Sequence, residues 1–515
     1  MRVALSALAG TSLFLGVTVA AAQQPKEADA PPPLPPPPGL RAPSREPPLP
    51  TPAAFTVESD RGPQEELVGF KNGFFLRDRR DHFRLYPEAL LEFQLQAPVG
   101  QGVSSVAASD GGTDLKTKFL LKRARIGLEG DLLRRWSFHV SGELGPQAVT
   151  NASGAASAPV QSTELGASLA DVWINYRLCN CFNLMVGQFN APIGIENRTE
   201  DAYTPFPERN VAIRGLVAPG SKDIGAMAWG FFGDRVLSYE LGMFDGDGPN
   251  RPSVDSRFDF MARLFVRPLA AHPHSEIERT LQVGGSFRYG VRDAAAVGYD
   301  VPAITTGDGF PLWSPTYVDS LGRTIHVIPS SSQTTVGPEL RAAAHRVSLQ
   351  AEAYAVHDDT REAVDGHQLT STERFGDLHG VGWYAQLSGW VLGDAFVRPE
   401  PGIYGPRQLD LHAPDATPRG LELLAVVAGI DAKYDGATRG GTADATAPPR
   451  DLTIYQVGFA AQYWHTQHVR LTLDYELYVT PGSGAAKNAA TVPAELVGKT
   501  STLLHELGAR ITIAI

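Results

Sequence analysis

The feature that most constrains this chain is an alternation of apolar and polar residues that recurs in many short segments. The segment 118–131, KFLLKRARIGLEGD, has Ala124 and Ile126 on one side and Arg123 and Arg125 on the other. The same alternation returns at 134–144, 169–178, 258–267 and 469–477. A period of two residues predicts β-strands that each have one apolar face.

Two all-β architectures accommodate such strands. A soluble sandwich packs the apolar faces against each other, whereas an outer-membrane barrel turns them toward lipid. After the N-terminal region no apolar run approaches the roughly 20 residues that a membrane-spanning helix needs, and 226–233 and 421–430 are about half that length. The alternating segments have about 10 residues, the length with which a tilted strand crosses a bilayer. We therefore predict a transmembrane antiparallel β-barrel.

The alternation predicts about sixteen strands, an even number as single-chain bacterial barrels require. Their expected positions are about 85–97, 118–130, 135–146, 167–178, 182–190, 222–232, 237–245, 257–267, 280–290, 335–344, 347–357, 378–391, 418–431, 452–464, 468–479 and 501–515. Links after even-numbered strands are mostly short and those after odd-numbered strands mostly long, as expected for periplasmic turns and external loops. The segments 268–280 and 392–418 are exceptions, because they follow even-numbered strands but are long.

The ends of the chain and its cysteines predict further features. Residues 1–22 have the basic start, apolar run and small-residue end of a cleaved signal peptide. Residues 23–65 are rich in proline and predict a disordered, semi-rigid periplasmic linker, which leaves 66–515 for the barrel. Cys179 and Cys181 are separated by one residue and predict an ordinary turn, with or without a local disulfide.

Aromatic residues near the ends of the predicted strands suggest interfacial girdles. The residues concerned are the pairs Trp383 and Tyr384, Tyr463 and Trp464, and Tyr475 and Tyr478.

Several motifs resemble the phosphate-selective porin family, porins O and P, over roughly residues 69–515. KRARIGLEG at 122–130 is similar to that family's R-x-R-x-G-x-x-G strand, and VGQFNAPIGIENRTE at 186–200, followed by PERN at 207–210, is similar to its G-Q-F-K and E-R signatures. Further similar stretches are 222–248, 380–394, 420–427 and 462–476. The resemblance implies a sixteen-stranded porin that forms a homotrimer in the outer membrane of a Gram-negative bacterium.

The chain departs from the family pattern at two positions. The lysine of the G-Q-F-K element is Asn190, which removes a cation where the chain enters the long loop 191–221. The usual terminal phenylalanine is Ile515, which is expected to weaken recognition by the barrel assembly machinery.

If the apolar faces meet lipid, the arginines between them line the pore. Guanidinium groups offer paired donors to phosphate oxygens and stay charged, so they favour passage of anions such as phosphate or polyphosphate. The predicted pore-lining residues are Arg123, Arg125, Arg177, Arg198, Arg209, Arg214, Arg263, Arg267, Arg288, Arg341, Arg470 and Arg510. Of these, Arg198, Arg209 and Arg214 belong to the long loop at 190–220, which either folds inward as a constriction or stays exposed.

Inward carboxylates leave a second interpretation open, in which arginines and acids pair across strands and brace the wall without selecting any ion. The expected inward acids are Glu129, Glu143, Asp171, Asp259, Glu352, Asp474 and Glu506.

Other functions have less support. An adhesin or envelope anchor is the alternative to a porin, with the external loops as its working surface and the Pro-rich segment as its tether. No catalytic, metal or cofactor site is predicted, because 244–250 lacks EF-hand spacing and the histidine pairs at 272 and 274 and at 465 and 468 lack a third ligand nearby. The net charge of −11 gives no indication of nucleic-acid binding.

Overall fold

The described part of this computed structural model begins at Leu67. It comprises residues 67–99, 117–145, 168–270, 280–364, 374–393, 419–436, 451–480 and 503–515, without 72, 219, 234, 295, 297 and 320. The predicted signal peptide, the Pro-rich linker and most of the irregular link at 392–418 lie outside these ranges. No helix within the described ranges is long and apolar enough to cross a membrane.

Sixteen long strands form the barrel, numbered here in chain order. They are β1 (Phe83–Val99), β2 (Lys118–Leu132), β3 (Trp136–Glu143), β4 (Ser168–Cys179), β5 (Phe182–Asn190), β6 (Lys222–Phe232), β7 (Leu237–Phe244), β8 (Asp259–Val266), β9 (Gln282–Arg292), β10 (Thr324–Ala344), β11 (Val347–Val364), β12 (Arg374–Gly393), β13 (Gly420–Tyr434), β14 (Asp451–Thr466), β15 (Val469–Val479) and β16 (Leu503–Ala514). A short hairpin, Val68–Phe70 and Phe74–Arg77, pairs with the start of β1.

Each barrel strand pairs antiparallel with its neighbours in sequence, and β16 pairs with β1 to close the sheet. Among the described residues, closure leaves no long unpaired sheet edge, which is how a β-structure satisfies its backbone within lipid. The predicted sixteen-stranded antiparallel barrel is therefore confirmed. The sequence placed the start of β10 about ten residues too late and the end of β11 about seven too early, because their outer halves do not alternate regularly.

The two faces of the wall have opposite chemistry. Large apolar side chains point outward, as Ile126 on β2 and Leu264 on β8 do with more than half of their surface exposed. Charged side chains point inward, and Glu92 on β1 and Arg263 on β8 are fully buried. Polar interiors and apolar exteriors are the arrangement of outer-membrane barrels rather than of soluble proteins.

The predicted aromatic girdles are only half right. Trp383, Tyr463 and Tyr475 point outward, but their companions Tyr384, Trp464 and Tyr478 are buried inside the barrel. Tyr384 and Tyr478 donate to inward carboxylates, and Trp464 lies under the guanidinium of an inward arginine. Because successive residues of a strand face opposite sides, two aromatic residues that are one or three positions apart cannot both face the membrane.

A β-bulge changes the orientation of one residue in the first alternating segment. The register of β1 with β2 shifts between Glu92 and Phe93, which pair with Arg123 and Leu121 respectively, so Lys122 is the extra residue. Lys122 therefore points inward with Arg123, although the strict alternation assigned it to the apolar side.

Short turns follow the even-numbered strands and longer links the odd-numbered strands, as predicted, and the two predicted exceptions are present as long links after β8 and β12. One of the short turns joins β4 to β5 and contains a disulfide between Cys179 and Cys181, with their Cα atoms 5.2 Å apart. The long link between β5 and β6 contains the short helix α1, Ile195–Arg198, a 3-10 turn at Asp201–Tyr203 and a π-helical turn at Ile213–Val217.

Candidate functional site

The link between β5 and β6 folds into the barrel. We call its described residues 191–218 the inward segment. Val211, Ala212 and Ile213 have almost no exposed surface, and they pack in one apolar cluster with side chains of the barrel wall. Of the two arrangements open for this loop, inward folding and external exposure, the structure has the first.

The inward segment begins with a capped helix. The backbone N–H of Ile195 donates to Glu352 Oε1 of β11 at 2.5 Å, and that of Glu196 donates to Oε2 at 3.2 Å. A carboxylate at a helix start stabilises N–H groups that have no partner within the helix. Gly194 precedes α1 with a φ of 71°, and a Cβ at this position would collide with the Glu352 carboxylate and Tyr354. Glycine is thus needed where the segment approaches β11.

Two acids of the inward segment bind the arginine row of β2. Asp201 lies 2.9 Å from Arg125 and 3.7 Å from Arg123, measured between carboxylate oxygens and guanidinium nitrogens. Glu208 lies 3.3 Å from both Arg123 and Lys122. The wall also supplies carboxylates, since Arg123 contacts Glu92 of β1 at 2.5 Å and Arg125 contacts Glu143 of β3 at 3.4 Å. Arg123 and Arg125 are therefore already paired with carboxylates.

Strands β14, β15 and β16, which lie next to one another and pair through β16 with β1, also bind the inward segment. Arg510 of β16 forms an ion pair with Glu208 at 2.6 Å and donates to the carbonyl of Pro207. Arg470 of β15 donates to the carbonyl of Thr204 at 3.1 Å, and Gln456 of β14 accepts from the N–H of Val211 at 2.7 Å. The segment is thus held to strands around most of the barrel.

Three arginines belong to the segment itself, and two of them contact its own backbone and acids or the wall. Arg209 pairs with Asp201 at 3.0 Å and donates to the carbonyl of Thr199. Arg198 is buried and pairs with Glu240 of β7 at 3.0 Å. Arg198 also donates to the carbonyl of Asn190, the residue that replaces the lysine expected from the family pattern.

A second loop also enters the barrel, which the sequence did not predict. In the described part of the link from β9 to β10, Ile304, Leu312 and Trp313 are buried in the same apolar cluster as the inward segment. Arg214 connects the two loops by donating to the carbonyl oxygens of Thr305 and Thr306 at 2.6 and 2.5 Å. The lumen is therefore narrowed by two folded-in segments.

The remaining predicted arginines lie on the wall. Arg263 of β8 is fully buried between Glu339 at 2.8 Å and Glu240 at 3.4 Å, and Arg288 of β9 pairs with Asp259 at 2.7 Å. Arg267 donates to the carbonyl of Arg235. Arg177 on β4 and Arg341 on β10 are half-buried. The twelve predicted residues do not form one site.

The electrostatics of the inward segment favour charged acids at its centre. Burial alone raises the pKa of Asp201 and of Glu208, but the surrounding cations, above all Arg123, hold both pKa values well below the usual range. Glu196 behaves differently, because burial raises its pKa to about 7 although Asn210 hydrogen-bonds its carboxylate. Their cation partners thus favour the charged forms of Asp201 and Glu208, whereas burial favours the neutral form of Glu196.

A cavity of about 620 Å³ opens beside the inward segment. It lies between that segment, the loop after β7 and the loop after β9, on the side of the long connections. Its lining includes Lys222, Arg251, Asp255, Arg288 and Tyr299, with the Arg251 guanidinium 4.3 Å from the centre of the Tyr299 ring. Mixed charges line this external vestibule.

Sequence reasoning missed four residues that organise the lumen: Lys122, Glu92, Asp201 and Glu208. Glu92 had a local signal, because Glu92, Gln94 and Gln96 alternate with apolar residues along β1. Glu208 lies in the PERN motif, but its partners come from β2 and β16, which no sequence spacing reveals. No local pattern in the sequence indicated the role of Asp201.

Comparison with known families identifies residues 93–257 as a match to the family described as phosphate-selective porin O and P. This range contains β2, with its two arginines, and the whole inward segment. No curated protein matches the chain.

Solved outer-membrane proteins are similar in structure at very low identity. A loop L8 deletion mutant of OmpT from Vibrio cholerae is 9% identical, with a TM-score of 0.45, over 84% of this chain and 100% of that chain. The in-vitro folded trimer form of OmpT, from the same organism, is 9% identical with a TM-score of 0.44 over 84% and 100%. The outer membrane channel DcaP of Acinetobacter baumannii is 12% identical with a TM-score of 0.43 over 87% and 100%.

The family match and the closed barrel give the location and the class of the protein. The apolar exterior belongs in the outer membrane of a Gram-negative bacterium, and the polar interior is that of a porin. The chain is a sixteen-stranded antiparallel β-barrel, and its residues 93–257 match the phosphate-selective porin O and P family.

Proposed function

We propose that this porin passes small solutes by passive diffusion, without catalysis, through a lumen narrowed by the inward segment. The observation that carries the proposal is the path of that segment, which contacts β2, β7, β11, β14, β15 and β16 through buried polar groups. A loop held on so many sides restricts the size of what passes.

We propose in addition that the pore prefers small anions such as phosphate or polyphosphate, but only slightly. The support for anions is the convergence of Lys122, Arg123, Arg125, Arg209 and Arg510 beside the inward segment. Arginine and lysine lower the barrier for phosphate oxygens. The carboxylates already bound to these cations oppose a strong preference, because a permeating anion competes with fixed partners.

Conductance of the purified protein in a planar bilayer tests both parts. We expect a stable conductance and, under a salt gradient, a small reversal potential in the direction of anions. Phosphate at millimolar concentration is expected to reduce chloride current only partly. A reversal potential in the direction of cations would overturn the anion preference and leave the porin intact, whereas no conductance would overturn the porin and favour an adhesin or envelope anchor.

We propose that the barrel forms a homotrimer and is inserted by the barrel assembly machinery, as the family resemblance implies. Native mass spectrometry of the detergent-extracted protein tests the first statement, and a monomer as the only species would contradict it. Depletion of the assembly machinery tests the second, with loss of the folded, heat-modifiable form as the expected result.

A further inference from the structure

Four side chains with metal-binding chemistry meet on the outer face of the barrel. His357 and Asp359 belong to β11, and Asp377 and His379 belong to β12. The register pairs His357 with His379 and Asp359 with Asp377. Side chains directly opposite each other on one face have Cβ atoms about 5 Å apart. The two strands therefore bring two imidazoles and two carboxylates to one patch, although they are about twenty residues apart in sequence.

The distances within the patch are close to those of a coordination site. One ligand atom from each of His357, Asp377 and His379 lies within 4.8 Å of the other two. His379 Nδ1 is hydrogen-bonded to the Asp377 carboxylate, and His357 Nε2 lies 3.5 Å from Asp359 Oδ1. Ligands of a tetrahedral metal at about 2.1 Å lie roughly 3.4 Å from each other, so a small rotation of exposed side chains closes the site.

Asp359 is held in place by a neighbouring strand. Ser332 of β10 donates to Asp359 Oδ2 from its hydroxyl at 2.7 Å and from its backbone N–H at 3.0 Å. The other oxygen of the carboxylate is the one nearest His357. Carboxylates and imidazoles that bind metals are commonly oriented in this way by outer partners.

The position of the patch along the strands makes it accessible to ions. His357 lies ten residues beyond Val347, where β11 begins after a short turn. A tilted strand crosses the hydrocarbon layer in about ten residues, so the patch lies at its outer boundary. From His379, the next outward residue along β12 toward the membrane is the apolar Val381. About half of each imidazole is exposed.

We propose that His357, Asp377 and His379, assisted by Asp359, bind a divalent transition-metal ion such as Zn²⁺ at the outer boundary of the membrane. Imidazole nitrogens with carboxylate oxygens suit Zn²⁺, Cu²⁺ and Ni²⁺, whereas Ca²⁺ and Mg²⁺ prefer oxygen ligands alone. Such an ion links β11 to β12 beside the lipid headgroups. The site is separate from the lumen and does not depend on the proposed transport function.

Isothermal titration of tag-free, full-length protein in detergent with ZnCl₂ tests the proposal. We expect one ion per chain in the wild type. The double variant His357→Gln and His379→Gln is expected to lose roughly 100-fold or more in affinity, because even partners that only orient a ligand account for roughly 10–100-fold. The matched control is His465→Gln, which removes another exposed outward histidine, on β14, and is expected to bind like the wild type.

Each outcome either supports or overturns the proposed metal site. Binding lost in the double variant and retained in the control supports the site, provided that both variants keep the heat-modifiable folded form on a gel. Equal binding by wild type and double variant, or no binding by the wild type, overturns it. Ser332→Ala is expected to weaken binding about tenfold, and an unchanged affinity would overturn the role given to Asp359.

Discussion

Two groups of arginines inside this barrel have the same chemistry but different partners. Arg123, Arg125 and Arg510 hold Asp201 and Glu208 of the inward segment, and we call them the anchor arginines. Arg263 and Arg288 hold acids of neighbouring strands, and we call them the wall arginines. Both groups are largely buried and both are paired with carboxylates.

The difference between the groups lies in what their ion pairs connect. A wall arginine joins strands of a sheet that backbone hydrogen bonds already hold together, either adjacent strands or, for Arg263 and Glu339, strands on either side of β9, so its pair adds to a rigid sheet. An anchor arginine joins the sheet to a loop, whose position in the lumen depends on side-chain contacts. Substitutions of the first group should therefore affect barrel stability, and substitutions of the second should affect permeation.

The largest effect is expected from removing the acids of the inward segment. The double variant Asp201→Asn and Glu208→Gln leaves Arg123, Arg125 and Arg510 without a charged partner on the loop. Breaking a buried ion pair on one side costs about 3–5 kcal/mol, so the segment should detach from β2 and β16. We expect a higher single-channel conductance and a clear shift of the reversal potential toward anions.

The matched control for that variant is Asp259→Asn, which removes the acid partner of Arg288 on the wall. We expect it to lower resistance to urea and to leave conductance near the wild-type value. Equal conductance changes in the two variants would remove the distinction between anchor and wall arginines.

A smaller effect of opposite sign is expected from the double variant Arg123→Ala and Arg125→Ala. Asp201 keeps Arg209 as a partner, so the segment loosens without full release. The loss of two cations should shift the reversal potential toward cations, while the heat-modifiable band on a gel shows that the barrel still forms. Failure to fold would assign these arginines to bracing of the wall.

The effect of pH on the inward segment should be smaller than the effects of these substitutions. The raised pKa of Glu196, about 7, means that the folded protein binds this proton more tightly than the unfolded chain does. The resulting stabilisation is complete below the usual glutamate pKa and is lost as the pH rises through about 7. We expect noisier channel currents at pH 8 than at pH 5 in the wild type. Glu196→Gln should show no such difference, and a persisting difference would rule out Glu196 as its source.

The smallest effect is expected at the periplasmic turn between β4 and β5. Replacing Cys179 and Cys181 by serine opens a ring of very few residues, which in the chain-entropy model costs about 1–2 kcal/mol. Conductance should be unchanged, because the turn is outside the inward segment. A measurable change in conductance would mean that the wall and the lumen are more strongly coupled than proposed.

The wall was predictable from the sequence because its pattern is local. Lipid on one side and polar groups on the other force every strand into the same alternation, so the positions of strands such as β2 and β5 follow from the local pattern of residues. The alternation failed at Lys122, where a bulge inserts a residue, and in the outer half of β10, where loops cover both faces. The girdle prediction failed for Tyr384 and Trp464, whose polar atoms donate to inward acids, although the alternation itself places both residues inside.

The partners of the arginines were not predictable in the same way. Asp201 and Glu208 are about eighty residues from Arg123 in sequence and about three hundred from Arg510. Their contacts arise only after the barrel closes and the loop folds in. The orientation of an arginine is thus a property of its strand, but whether it is available to an ion is a property of the tertiary structure.

The central claim is that the inward segment lies against the wall inside the barrel, and a disulfide tests it most directly. A Cβ on Gly382 of β12 would lie 3.4 Å from the Cβ of Ala212, close to the separation found in disulfides. In a background with Cys179 and Cys181 replaced by serine, Ala212→Cys with Gly382→Cys should form a bridge in air and keep wild-type conductance. A folded barrel in which both thiols stay free and react with a bulky external reagent would contradict the account.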